Sequence, residues 1–131
     1  MKTALTPEQS AKLIELGIDP KLASKCRVQH EADDEVEYRI VPHDEFCYEM
    51  ASLNPSPIFD LSDLLSILPR KIMIHRDGDT LSMIYHCGRW FVGYTNCAAW
   101  CGHVKIAPEL IDALYQLVQW VVEHDYIPKI K

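Results

Sequence analysis

The stretch "PELIDALYQLVQWVVEH", residues 108–124, decides how the rest of the chain is read. Its polar residues Glu109, Asp112, Gln116, Gln119 and Glu123 recur every three or four positions and form one wet stripe about four turns long. Leu110, Ile111, Ala113, Leu114, Leu117, Val118, Val121 and Val122 cover the remainder. So wide an apolar face needs an equally wide surface to lie on, and a β-sheet supplies one. Pro108 suits a helix start, and His124 suits the negative end of the helix dipole.

The surface for that helix should come from the residues just before it. "KIMIHR" (71–76) reads as a strand and "DGD" (77–79) as a hairpin turn, because Asp-Gly tolerates the positive φ that tight hairpins need. "TLSMIYHC" (80–87) is a second strand, Gly88 permits the next turn, and "RWFVGYT" (89–95) is a third. "CAAWCGHVKI" (97–106) continues as a fourth short strand or an irregular return.

Further toward the N-terminus, "FDLSDLLSILP" (59–69) carries a helix signature. Asp60 caps, Asp63 stands at the third helical position, Leu61, Leu64, Leu65 and Leu68 make a stripe, and Pro69 stops it. "NPSP" (54–57) is a break, since a proline disfavours helix in the residue before it. "DEFCYEMA" (44–51) fits one or two helical turns. "VEYRIVP" (36–42) alternates as a strand, and "QHEADDEVE" (29–37) reads as a charged, solvated loop. "LTPEQSAKLIELGID" (5–19) opens with a Thr6/Gln9 capping box and Pro7 at the first helical position, and Gly17 ends it. "DPKLASK" (19–25) repeats the start signal and predicts a short second helix folded back on the first. The expected fold is α+β: N-terminal helices, an antiparallel meander of three to five strands, and the long C-terminal helix packed across it, in a single domain spanning residues 1–131.

Composition narrows the function classes. Of 131 residues, 48% are apolar and 24% charged, as in ordinary globular domains. A net charge of −6 argues against nucleic-acid or anionic-membrane surfaces, both of which demand basic patches. Residues 1–17 are interrupted by charges and lack a signal-peptide core. The longest apolar region, 110–122, is broken by Asp112, Gln116 and Gln119, so no membrane span is expected. Five cysteines, an odd number, fit reduced thiols in the cytoplasm better than a disulfide framework.

The chemistry-bearing cluster is "CAAWCGHV" (97–104), with "HC" at 86–87 upstream. In an extended segment Cys97, Cys101 and His103 share a face, and His86 or Cys87 could add a fourth zinc ligand. The C-x3-C-x-H spacing is not that of a zinc knuckle, and the bland reading is that the cysteines pack as small hydrophobes. A redox pair of Cys97 and Cys101 lacks the usual helix start, and a Cys–His enzyme lacks a placed base. The carboxylates of "DDEVE" (33–37) and "DGD" lie where Asp serves turns. No phosphate loop, dinucleotide fingerprint, nucleophile elbow or zincin motif occurs. No cofactor and no enzymatic activity is therefore expected.

The aromatic residues Tyr85, Trp90, Phe91, Tyr94 and Trp100 gather on the meander. Trp90 and Tyr94 share parity and hence a face, and with Trp100 they are the candidate binding residues for a protein partner or a homodimer. Finally, "PIFDLSDLLSILPRKI", "RWFVGY" and "APELIDALYQLVQWVVEH" resemble small bacterial proteins, without an assigned activity, found among prophage and mobile-element genes of gut bacteria. The resemblance spans roughly residues 57–124, with a weaker echo at "LTPEQSAKLIELGID". It implies an accessory role and carries no functional residues with it.

Overall fold

The computed structural model describes residues 2–32, 35–42, 56–74, 78–96 and 99–127; for 28–32, 35–42 and 99–102 it describes the course of the backbone. The elements are α1 (Pro7–Leu16), a 3-10 turn (Pro20–Leu22), β1 (Lys25–Ala32), β2 (Glu35–Pro42), β3 (Ser56–Ile58), α2 (Leu61–Ile67), β4 (Lys71–Ile72), β5 (Asp79–His86), β6 (Arg89–Asn96), β7 (Ala99–Ala107) and α3 (Leu110–Glu123). The fold is α+β. A four-stranded antiparallel sheet of order β4-β5-β6-β7 is roofed by α3, and a three-stranded sheet of order β2-β1-β3 stands apart from it.

All eight apolar residues assigned to the dry face of the last helix are buried. That face packs on β6 and β7 and also meets α1 and α2. Val92 and Tyr94 from β6 join Leu114, Leu117, Val118 and Val121 in one core. Burying such side chains contributes about 1.5–3 kcal/mol each, which is why this helix and its platform dominate the architecture. The first helical residue is Leu110, with Glu109 as the unbonded cap, so Pro108 lies just outside.

Both predicted capping boxes form. Thr6 Oγ1 accepts from the Gln9 amide and Gln9 Oε1 from the Thr6 amide, each at 3.1 Å. Asp60 accepts from the Asp63 amide at 2.9 Å, and Asp63 accepts from the Asp60 amide at 3.0 Å. The second box does more than cap. Ser24 donates its amide to Asp63 Oδ2 at 2.9 Å, and its hydroxyl lies 3.1 Å from Asp60 and 3.0 Å from Asp63. Lys25 Nζ sits 3.3 Å from Asp60. The start of β1 is thereby tied to the start of α2.

Three expectations are corrected. Residues 25–32 are a strand rather than a helix end and a loop: the proline after Asp19 starts only one 3-10 turn, and the alternation of Lys25, Arg27, Gln29 and Glu31 with Cys26, Val28 and Ala32 sets a period of two. Glu31, Glu35 and Glu37, expected in a solvated loop, sit on the ladder that runs from Lys25↔Pro42 to Ala32↔Glu35, where backbone pairing holds them. The "KIMIHR" strand shrinks to Lys71–Ile72, paired with Thr80 and Asp79, so Asp79 belongs to β5 rather than to a "DGD" turn. Residues 44–51, whose sequence fits one or two helical turns, lie outside the described residues, as do Asp33, Asp34, Asp77 and Cys97.

The β5–β6 turn is tight. His86 pairs with Arg89, which leaves Cys87 (φ +52) and Gly88 (φ +77) as its two central residues. Positive φ at both positions is the mirror-type turn whose twist matches antiparallel strands. At Gly93, an added Cβ would overlap the His103 carbonyl oxygen, so the glycine lets β6 and β7 approach closely beside the register irregularity at Tyr94–Asn96.

Candidate functional site

Pairing fixes which side chains share each face. Trp90, Val92 and Tyr94 stand opposite Tyr85, Met83 and Leu81 on one side, and opposite Ala107, Lys105 and His103 on the other. This is the helix face, because Val92, Tyr94 and Ala107 lie in the core with α3. The outer face therefore carries Ile84 and His86 from β5, Arg89 and Phe91 from β6, and Val104 and Ile106 from β7.

Of the candidate binding residues, Tyr94 and Trp90 stand on the helix face of the sheet. Tyr94 is completely buried, and its hydroxyl donates to the Pro69 carbonyl at 2.7 Å. Burial pushes that phenol far above its ordinary range, so it stays protonated and holds β6 to the end of α2. Trp90 is half-buried against the core, with Tyr85 tilted onto it at 5.2 Å. Trp100 lies in β7, where only the backbone is described.

The helix face ends in an aromatic stack. The His103 ring lies 4.0 Å from Trp120 with planes 7° apart, and His124 and Tyr126 stack on the same indole at 4.7 and 5.4 Å. His124 Nδ1 is 2.9 Å from the Trp120 carbonyl oxygen, which can only accept, so the proton is on Nδ1. Nε2 of His103 is buried without a hydrogen-bond partner among the described residues. Burial first, then the charges of Lys105 and His124, hold His103 below the usual imidazole range. It is a neutral packing residue at pH 7.

Of the candidate zinc ligands, His86 and His103 are kept apart by this geometry. His86 pairs with Arg89 and His103 with Tyr94, so they stand roughly 17 Å apart along the strands and on opposite faces. Cys101 is in β7 with only its backbone described, and Cys97 lies outside the described residues. Among the described residues no group of three or more His, Cys, Asp or Glu is arranged to hold a metal ion. Of the cysteines with described side chains, Cys26 is buried and Cys87 exposed.

What sequence reasoning missed is the outer face. Ile84, Phe91, Val104 and Ile106 adjoin one another around an open hollow of about 450 Å³, with His86 on its rim. Ile84 is 43% exposed and Ile106 46%. On the other side of the same hairpin, beyond the reach of α3, Met83 and Tyr85 are also exposed. The available signal was Phe91, of opposite parity to Trp90 and Tyr94 on the same strand, with Ile84 opposite it across the hairpin. A second hollow of about 370 Å³ lies between α1 and β3, beside Glu8 and Arg27. Among the described residues no helix is long and apolar enough to cross a membrane. Comparison with protein-family models, curated proteins and solved structures finds no match to the chain.

Proposed function

We propose that this chain is a non-catalytic accessory domain that docks another protein through the outer face of its four-stranded sheet. The observation that carries the reading is the apolar group Ile84, Phe91, Val104 and Ile106 on the face turned away from α3, half in water. A sheet whose second face were merely solvated would alternate apolar with polar residues. Here the centre of the outer face, where Ile84 and Phe91 of the β5–β6 hairpin meet Val104 and Ile106 of β7, is apolar throughout. Contiguous apolar surface on a small domain marks interaction sites, and covering it returns about 25 cal/mol for each Å2. The hollow is open and its one titratable lining residue is His86, a composition suited to side-chain docking rather than to catalysis. The reading keeps the accessory role implied by the resemblance to mobile-element proteins.

Site-specific photocrosslinking tests it. A photoreactive side chain placed at Ile106 should give a discrete protein adduct in the native cells, and one at the exposed Gln116 of α3 should not. No adduct from Ile106, or the same adducts from both positions, overturns the proposal.

A further inference from the structure

The charge of the docking face identifies the chemistry of what covers it. β5 opens with the fully buried Asp79, and none of the other eighteen acidic residues of the chain lies in β5, β6 or β7; between Thr80 and Pro108 Arg89 and Lys105 are the full charges, with His86 and His103 beside them. Strand propensity alone does not produce this, because β1 and β2 of the same chain hold Glu31, Glu35 and Glu37. On the outer face itself, Arg89 and His86 border one end of the apolar group. Thr80, Ser82 and Thr95 border the other, with the Ser82 and Thr95 hydroxyls 2.9 Å apart. Among the described residues the face is thus an apolar centre between cations and hydroxyl donors, without a carboxylate, on a chain of net charge −6.

We infer, resting on the docking reading above, that the occupant is an acidic segment of a partner protein, with apolar side chains seated over Ile84, Phe91 and Ile106 and carboxylates meeting Arg89 and the neighbouring donors. Complementary charge of this kind sets specificity and orientation around an apolar centre. A second copy of the chain is a poorer match, because a two-fold contact through this face sets one carboxylate-free surface against another. A polyanion is poorer still, since phosphate recognition needs several cations together, whereas Arg89 and His86 stand at one end of the face and Lys71, paired with Thr80, at the other.

The test is a displayed random peptide library selected on the full chain and cleared in each round against the Ile84→Asp/Ile106→Asp variant, with circular dichroism checking that the variant is folded. The expected enriched peptides are apolar and net negative. Their affinity, read by fluorescence anisotropy, should fall about tenfold on Arg89→Glu, and a version with Lys in place of Glu should bind wild type about tenfold more weakly and recover on Arg89→Glu. Enrichment of neutral or basic peptides overturns the acidic partner and leaves the docking face standing. So does a dimer in light scattering that the double variant dissolves, which would assign the face to a second copy. Enrichment of no peptide that distinguishes wild type from the double variant overturns both.

Discussion

Truncating Leu117 to alanine tests whether α3 is the roof that organises the molecule. Leu117 is completely buried on the face turned to the sheet, in one core with Val92 and Tyr94. The change removes Cγ and both Cδ carbons. At about 0.8 kcal/mol for each buried carbon the transfer loss is about 2.4 kcal/mol. The cavity left in a close-packed core raises the cost to roughly 3–5 kcal/mol. Two comparison variants calibrate it. Ile106→Ala removes as many carbons from the outer face, but its side chain is 46% exposed, so the expected loss is about 1 kcal/mol. Gln116→Ala, next to Leu117 on the wet stripe, should stay within about 0.5 kcal/mol of wild type. Urea unfolding followed by circular dichroism reads all three, with the midpoint moving and the slope constant. In heat, Leu117→Ala should melt roughly 10–20 °C lower. If Leu117→Ala costs no more than Ile106→Ala, the two faces of the sheet are equally wet and the layered account is refuted.

The β5–β6 turn predicts that Cys87→Asn stabilises by about 0.5–1 kcal/mol, since asparagine tolerates positive φ better, while Gly88→Ala destabilises by at least about 1 kcal/mol; chemical denaturation reads both. Removing the hydroxyl that bridges two carboxylates, Ser24→Ala, should cost about 1–2 kcal/mol and loosen β1 from α2, visible as faster amide exchange at Lys25 and Leu61. Stability should also depend on pH in two windows. His103 has its folded pKa depressed, so the unfolded chain binds the proton first and stability declines as pH falls below about 6.5; His103→Gln should flatten that limb. Asp60 pays a burial penalty that hydrogen bonds from the Asp63 amide, Ser24 and Lys25 outweigh, so its pKa is lowered and a second decline begins as pH falls below 3.8; Asp60→Asn should remove it.

The last helix was legible residue by residue, because its amphipathic period is long and the protein uses each apolar position as the pattern implies. The capping boxes were legible for a similar reason: their partners are three residues apart and need no tertiary context. β1 was hidden by a competing signal, since "DP" announces a helix that stops after one turn, and by charges that resemble a loop until β2 pairs with them. At the candidate site, parity was readable but the roofed side was not. Trp90, Val92 and Tyr94 are apolar, and so are Ile84, Phe91 and Ile106. With apolar residues at the centre of both faces, only the placement of α3 separates core from surface, and that choice moved Tyr94 into the interior.

The contacts of α3 carry a consequence for how this protein is made. Synthesis releases the elements in chain order, and α3 is the latest of them, yet α1, α2, β6 and β7 all rest on it. The greasy sides of those earlier pieces have no common partner until Leu110–Val122 has left the ribosome. Assembly is therefore a single late event, and a nascent chain halted before residue 110 should be a client for chaperones rather than a partly finished domain.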